Sequence, residues 1–277
     1  MCGVALAGCR SSPTAAPSPV TTTTAAPTTP APVLTTATPS AVPAPVWVVG
    51  ASPLPIGPDG FGKVLPTPKV LRDRHLPTTD VLPPPADGRF HASSGPITPS
   101  LRTRMGDTYR AGCPVGLEDL SYLTLTFRGF DKKVHTGELV VATSVSAAVT
   151  RAFRRLFDLG FPLEEMRLPT TGDVTAKPTG DGNDTAGFVC RAARGQKRFS
   201  AHAYGLAIDV NPFQNPYVKG DLVLPELASA YRDRTWVRDG MFLLGSAAVK
   251  AFTREGWTWG GTFSRPKDYQ HMSKTGN

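Results

Sequence analysis

His202, Asp209, Asp268 and His271 have the side chains and the spacing to do chemistry. His202 lies in Ser200-Ala-His202-Ala-Tyr-Gly205-Leu-Ala207-Ile-Asp209, and His271 closes Asp268-Tyr-Gln-His271. Two imidazoles and a carboxylate suit Zn²⁺ with one coordination position left open. A zinc held that way polarises a carbonyl and lowers the pKa of its water to about 7. On spacing alone, metal binding stays an open option. The other three His carry less. His75 and His91 lie in a Pro-rich stretch where no chemistry is expected, and His135 is expected to be an exposed or capping residue in a turn.

The elements that must position these residues follow from periodicity. In residues 206–210, alternation places Ala207 and Asp209 on one face of a strand and Leu206, Ile208 and Val210 on the other. Gly205 breaks the chain before it, so a turn can bring His202 beside the carboxylate. Leu123, Leu125 and Phe127 alternate with polar residues, which predicts a strand over 121–128. A polar turn over 129–137 and a short strand over 138–142 follow. Ser144 offers an N-cap, and Val145, Ala148, Val149, Ala152, Phe153 and Leu156 form an amphipathic helical stripe ending at Gly160. Arg151, Arg154 and Arg155 fall on its wet side. Residues 166–168 read as a possible strand, 172–184 as a mobile loop, 246–255 as a second helix and 257–260 as a last strand. Strands and helices mix without βαβ regularity. That predicts an α+β fold with a small, mainly antiparallel sheet and flanking helices.

Composition divides the chain. Of 28 Pro in 277 residues, 20 lie in residues 1–100. Residues 11–46 hold 31 Thr, Ala, Pro or Ser in 36 positions and no charge, too little apolar surface to offset ordering entropy. The expected organisation is a truncated signal or lipobox at 1–9, a disordered tether at 10–46, a Pro-rich extended segment at 47–98 that wraps the domain, and the folded domain at 99–277. No run of 18 apolar residues exists, which excludes a spanning helix. The net charge of +8 attracts polyanions. There is no Lys/Arg block of five and no nucleic-acid motif, so no nucleic-acid partner is expected. An anionic wall or membrane surface is the expected partner.

Leu6-Ala7-Gly8-Cys9 resembles a bacterial lipobox, with Cys9 as the lipidated residue, although the apolar stretch before it is short and lacks a positive n-region. Cys113 and Cys190 remain as a pair in the folded part. In an exported protein, two such Cys pair as a disulfide more often than they bind metal, and neither sits in a CxxC.

The pattern Ser200-x-His202-x-x-Gly205-x-Ala207-x-Asp209, followed far downstream by Asp268-x-x-His271, resembles the VanX/VanY-type D-alanyl-D-alanine peptidase family. The run from Asn183 to Arg191 and the run Asn211-Pro-Phe-Gln-Asn-Pro-Tyr217 resemble its extracellular, actinobacterial-like branch. The resemblance spans roughly residues 104–273. It implies an α+β fold shared with the hedgehog signalling domain and a zinc enzyme acting on peptidoglycan peptides. Residue by residue, it implies one Zn²⁺ held by His202, Asp209 and His271, with Asp268 as base. It places Arg191 as oxyanion stabiliser or substrate contact, and Ser200 as substrate contact or structural hydrogen-bonder. Asp268 as a partner orienting a ligand, and Arg191 as a carboxylate clamp or a structural ion pair, stay open. Met272 and Ser273 stand where relatives often have Phe and an acidic residue.

The expected function is a zinc-dependent peptidase, D-Ala-D-Ala carboxypeptidase or L-Ala-D-Glu endopeptidase in type. It is expected outside the cytoplasm, lipid-anchored or secreted, as a monomer. The competing reading is an inactive, metal-containing wall-binding module.

Overall fold

The computed structural model describes residues 16, 47–192 and 197–276. The expected lipobox with Cys9 and, residue 16 apart, the expected tether lie outside the described residues. The fold is α+β, as the periodicity predicts, but it divides its strands among three small sheets rather than one.

The largest sheet joins β1 (Ala92–Pro96), β2 (Leu120–Gly129) and β3 (Val134–Ala142) in antiparallel order, with β4 (Pro162–Leu163) parallel to the end of β2. The β2–β3 turn is much tighter than the polar run 129–137 implies. Lys132 takes a positive φ of 66°, and Gly129 N–H donates to the Lys133 carbonyl at 2.9 Å. Pairing therefore resumes at Val134. His135 is not exposed, correcting the expectation: its ring lies buried between Asp80 and Asp131, at 2.8 and 3.0 Å.

Helix α1 (Pro99–Met105) precedes the sheet. Helix α2 (Ser146–Asp158) lays Val149, Ala152, Phe153 and Leu156 on β2 and β3. It starts one residue later than the Ser144 cap implies, because Thr143–Val145 form a 3₁₀ turn. Gly160, with φ 67°, ends it as expected. Two of its arginines are not free on a wet face. Arg151 and Arg155 both bond Glu255, while Arg154 pairs with Asp158. A short helix α3 (Thr171–Thr175) occupies part of the stretch expected to be a mobile loop, and Asp181 and Asn183 beyond it are buried. Residues 166–168 form no strand, although the Met166 carbonyl accepts from Glu138 N–H.

The second sheet has order β5 (Ala207–Asp209), β10 (His271–Ser273), β8 (Thr258–Trp259). The third has order β7 (Leu222–Leu224), β6 (Tyr217–Lys219), β9 (Lys267–Asp268). Helix α4 (Ala247–Thr253) is capped by Ser246, whose Oγ accepts from Val249 N–H. Phe252 of α4 meets Phe153 of α2 edge-on at 5.7 Å. Ile208, Val210 and Met272 join this same core from the second sheet, so the back of that sheet is anchored in apolar packing. Among the described residues, no helix is long and apolar enough to cross a membrane.

Cys113 and Cys190 form the expected disulfide, with Cα atoms 5.7 Å apart and 77 residues of separation. Closing a loop that long stabilises the fold by about 4 kcal/mol in the chain-entropy account.

The Pro-rich residues 47–98 contribute to the interior. Leu54 and Leu71 are buried in a cluster with Phe213 and Tyr231. Arg74, almost fully buried, donates through Nε to Glu164 Oε2 at 2.7 Å and through Nη1 to the Asp181 carbonyl at 2.8 Å. Removing one partner of a buried pair strands the other's charge. Arg74→Ala is therefore expected to lower unfolding free energy by about 3–5 kcal/mol, measured by urea denaturation. A loss below about 1 kcal/mol would show that this segment is peripheral.

Candidate metal centre

His202 sits in the 3₁₀ turn Ala201–Tyr204. Its Nδ1 lies 2.6 Å from the Gly187 carbonyl oxygen. A carbonyl only accepts, so Nδ1 carries the proton and Nε2 is left with a free lone pair. That Nε2 lies 3.3 Å from Asp209 Oδ1. Gly205 closes the turn in the left-handed region, at φ 66°. Its carbonyl accepts from Ala142 N–H, and a Cβ there would meet the Ala142 nitrogen at 2.4 Å. The Gly of the His-x-x-Gly spacing is thus a close contact between backbones as well as a turn.

Asp209 and His271 stand directly opposite each other in the β5–β10 register. Opposed residues of an antiparallel pair project on the same face. His271 Nδ1 accordingly lies 3.0 Å from Asp209 Oδ1. The two imidazole rings are 5.1 Å apart, and both are buried. Burial opposes the Asp209 charge, but His202 and His271 outweigh it and hold the carboxyl well below the usual carboxylate range.

Asp268 comes from a different sheet. It lies on β9, opposite Tyr217 of β6. The chain passes from the third sheet to the second between Asp268 and His271, which explains the three-residue spacing. Among the described residues, Asp268 Oδ1 is buried with no hydrogen-bond partner. Burial, and then the charge of Asp209, push its carboxyl up to about 7, against the opposing pull of His271 and Arg191. Gly260 makes room for it: a Cβ at Gly260 would lie 2.4 Å from the Asp268 carbonyl oxygen and 2.9 Å from its Cβ.

Arg191 follows the disulfide-bonded Cys190 and is exposed at the rim, close enough for its charge to act on Asp268. The Ser200 hydroxyl donates to the Arg191 carbonyl at 3.2 Å, so it ties the two flanks of the 191–200 segment together. Trp259 is buried, its Nε1 donating to the Tyr269 carbonyl, whereas Tyr204 is exposed.

The donor set fits zinc. His202, Asp209 and His271 each offer one ligand atom within 4.8 Å of the other two, and His202 Nε2 and His271 Nδ1 both lie close to Asp209 Oδ1. Ligands about 2.0–2.2 Å from a tetrahedral zinc are separated by roughly 3.3–3.6 Å, and the two contacts to Asp209 Oδ1 are close to that value. The unpartnered oxygen of Asp268 beside them is the second sign of a missing group.

Residues 194–274 match a family model described as D-alanyl-D-alanine carboxypeptidase. The match contains His202, Asp209, Asp268 and His271, while Arg191 precedes it. No curated protein and no solved structure matches the chain. Match and donor set together point to a metallopeptidase.

Three contributors escape a reading by residue type. Gly187 acts only through its carbonyl, Gly260 only through its missing Cβ, and Gln270 through an amide bonded to Asp209. The Asn-rich motifs have a structural role. Asn183 Oδ1 accepts from Phe213 N–H, and Asn211 and Asn215 both donate to the Gly240 carbonyl, fixing the loop between β5 and β6. A cleft of about 1080 Å³ is lined by Trp47, Leu76, Glu165, Arg167, Asp184 and Ala186, and its lining includes none of His202, Asp209, Asp268 and His271.

Gly205→Ala is expected to weaken zinc retention and lower stability by about 1–3 kcal/mol, because the left-handed turn and the Ala142 contact must both give way. Equilibrium dialysis and thermal unfolding check this. Unchanged zinc retention would mean that this turn does not set the His202 position.

Proposed function

We propose that this chain is an extracytoplasmic zinc peptidase that hydrolyses peptidoglycan stem peptides, of the D-Ala-D-Ala carboxypeptidase or L-Ala-D-Glu endopeptidase type. The observation that carries this reading is the buried His202–Asp209–His271 donor set with the unpartnered Asp268 carboxylate beside it, inside the matched residues. Cys113–Cys190 fits an oxidising compartment.

When bound by His202, Asp209 and His271, zinc supplies a Lewis acid for the scissile carbonyl and acidifies an attacking water. Asp268 takes the proton of that water on its free oxygen and delivers it to the leaving amine. Arg191 contributes a fixed cation at the rim, where it meets the developing oxyanion or a substrate carboxylate. Gly187 and the β5–β10 pairing hold the ligands so that little reorganisation is needed on binding.

Lipidation of Cys9 would fix the chain to a membrane surface. The 37 residues from 10 to 46 would then lie between that anchor and the peptidase domain. All the named site residues lie in one chain, and the proposed working unit is a monomer.

Digestion of purified muropeptides with and without a chelator, followed by mass spectrometry, tests the reading. Chelator-sensitive loss of one alanine is expected for a carboxypeptidase and of a longer peptide for an endopeptidase. The absence of any chelator-sensitive product would overturn the enzyme reading. Asp268→Asn is expected to lower kcat by about 10²–10⁴-fold with zinc content unchanged. Full activity in that variant would remove Asp268 from the role of base.

A further inference from the structure

Asp209 uses only one of its carboxylate oxygens toward the imidazoles. Oδ1 faces both rings, and Oδ2 accepts a hydrogen bond from Gln270 Nε2 at 3.1 Å. A carboxylate has no proton to give, so the amide must present its nitrogen there. Its oxygen then turns elsewhere, and among the described residues Gln270 Oε1 is buried without a partner. A buried acceptor left bare is destabilising, so the amide is held toward Asp209 at the expense of its other end. The backbone of Gln270 grips the same strand, its carbonyl accepting from Val210 N–H at 3.0 Å.

We propose that Gln270 is a positioning residue of the metal centre, locking Asp209 Oδ2 so that Oδ1 alone is presented beside His202 Nε2 and His271 Nδ1. This rests on the zinc reading above. An unrestrained carboxylate rotates and offers either oxygen, or both. The amide removes that freedom, as the Gly187 carbonyl does for His202. Being neutral, it does so without adding a third negative charge beside Asp209 and Asp268.

The test is zinc affinity of the metal-free full chain, measured by competition with a chromophoric chelator. Gln270→Met keeps the length and loses the donor, and is expected to bind zinc about 10–100-fold more weakly. Gln270→Glu keeps the shape and polarity but cannot donate when ionised, and is expected to lose at least as much. It also serves if the Met variant folds poorly. In an Asp209→Ala background, Gln270→Met should change affinity by less than about 3-fold, because its partner is gone. Wild-type zinc affinity in folded Gln270→Met or Gln270→Glu would overturn the proposal. So would a loss that adds in full to that of Asp209→Ala, which would mark a general packing role. A wild-type chain that binds no zinc would overturn the metal reading itself, and this role with it.

Discussion

The antiparallel pairing of β5 with β10 sets both the core and the site. It puts His271 opposite Asp209 on one face and Met272 opposite Ile208 on the other. The first pair supplies two of the three candidate ligand atoms, and the second is fully buried in the main apolar cluster. A one-residue slip would exchange them, driving an imidazole into the core and a thioether into the ligand position. Apolar burial of Ile208, Val210 and Met272 therefore enforces the register that the metal centre needs. Met272, unusual beside the family pattern, is accounted for here: an unbranched apolar side chain fills a core position between Ile208 and Trp259.

The remaining parts of the centre are brought to that register from elsewhere. The Gly205 turn abuts the end of β3 and delivers His202. The third sheet delivers Asp268. Asn183, Asn211 and Asn215 satisfy the buried backbone of the loop that connects the two sheets on the other side. That polar layer continues through Glu164 to Arg74, which lies in the Pro-rich segment. Chain far from the chemistry thus supports the loop that fixes β5 relative to β6, and the disulfide supports the segment that ends in Arg191.

Much of this was legible in the sequence, and the unequal legibility has physical reasons. His202, Asp209 and His271 stand out because few side chains offer a lone pair to a dication, and the structure brings their atoms together. Strand β2 and helices α2 and α4 carry one apolar face each, so their periodicity reports them directly. The β2–β3 turn was read too long because His135 and Thr136 are paired by Asp80, Leu82 and Pro83, which come from the remote Pro-rich segment. His135 was misread because its carboxylate partner Asp80 lies 55 residues away. The buried part of 172–184 looked mobile because its Asp and Asn residues are paired by groups remote in sequence. Gly187, Gly260 and Gln270 act through a carbonyl, an absence and an amide, none of which has a spacing signature.

The central claim is that three side chains from two strands and a turn form one zinc site. Zinc-edge X-ray absorption of the purified chain, with metal content per chain, tests it most directly. The account predicts one zinc per chain with two imidazole nitrogens and a carboxylate oxygen at about 2.0–2.2 Å, and loss of that zinc on His271→Ala. Substoichiometric zinc, or a zinc signal unchanged in His271→Ala, would contradict it.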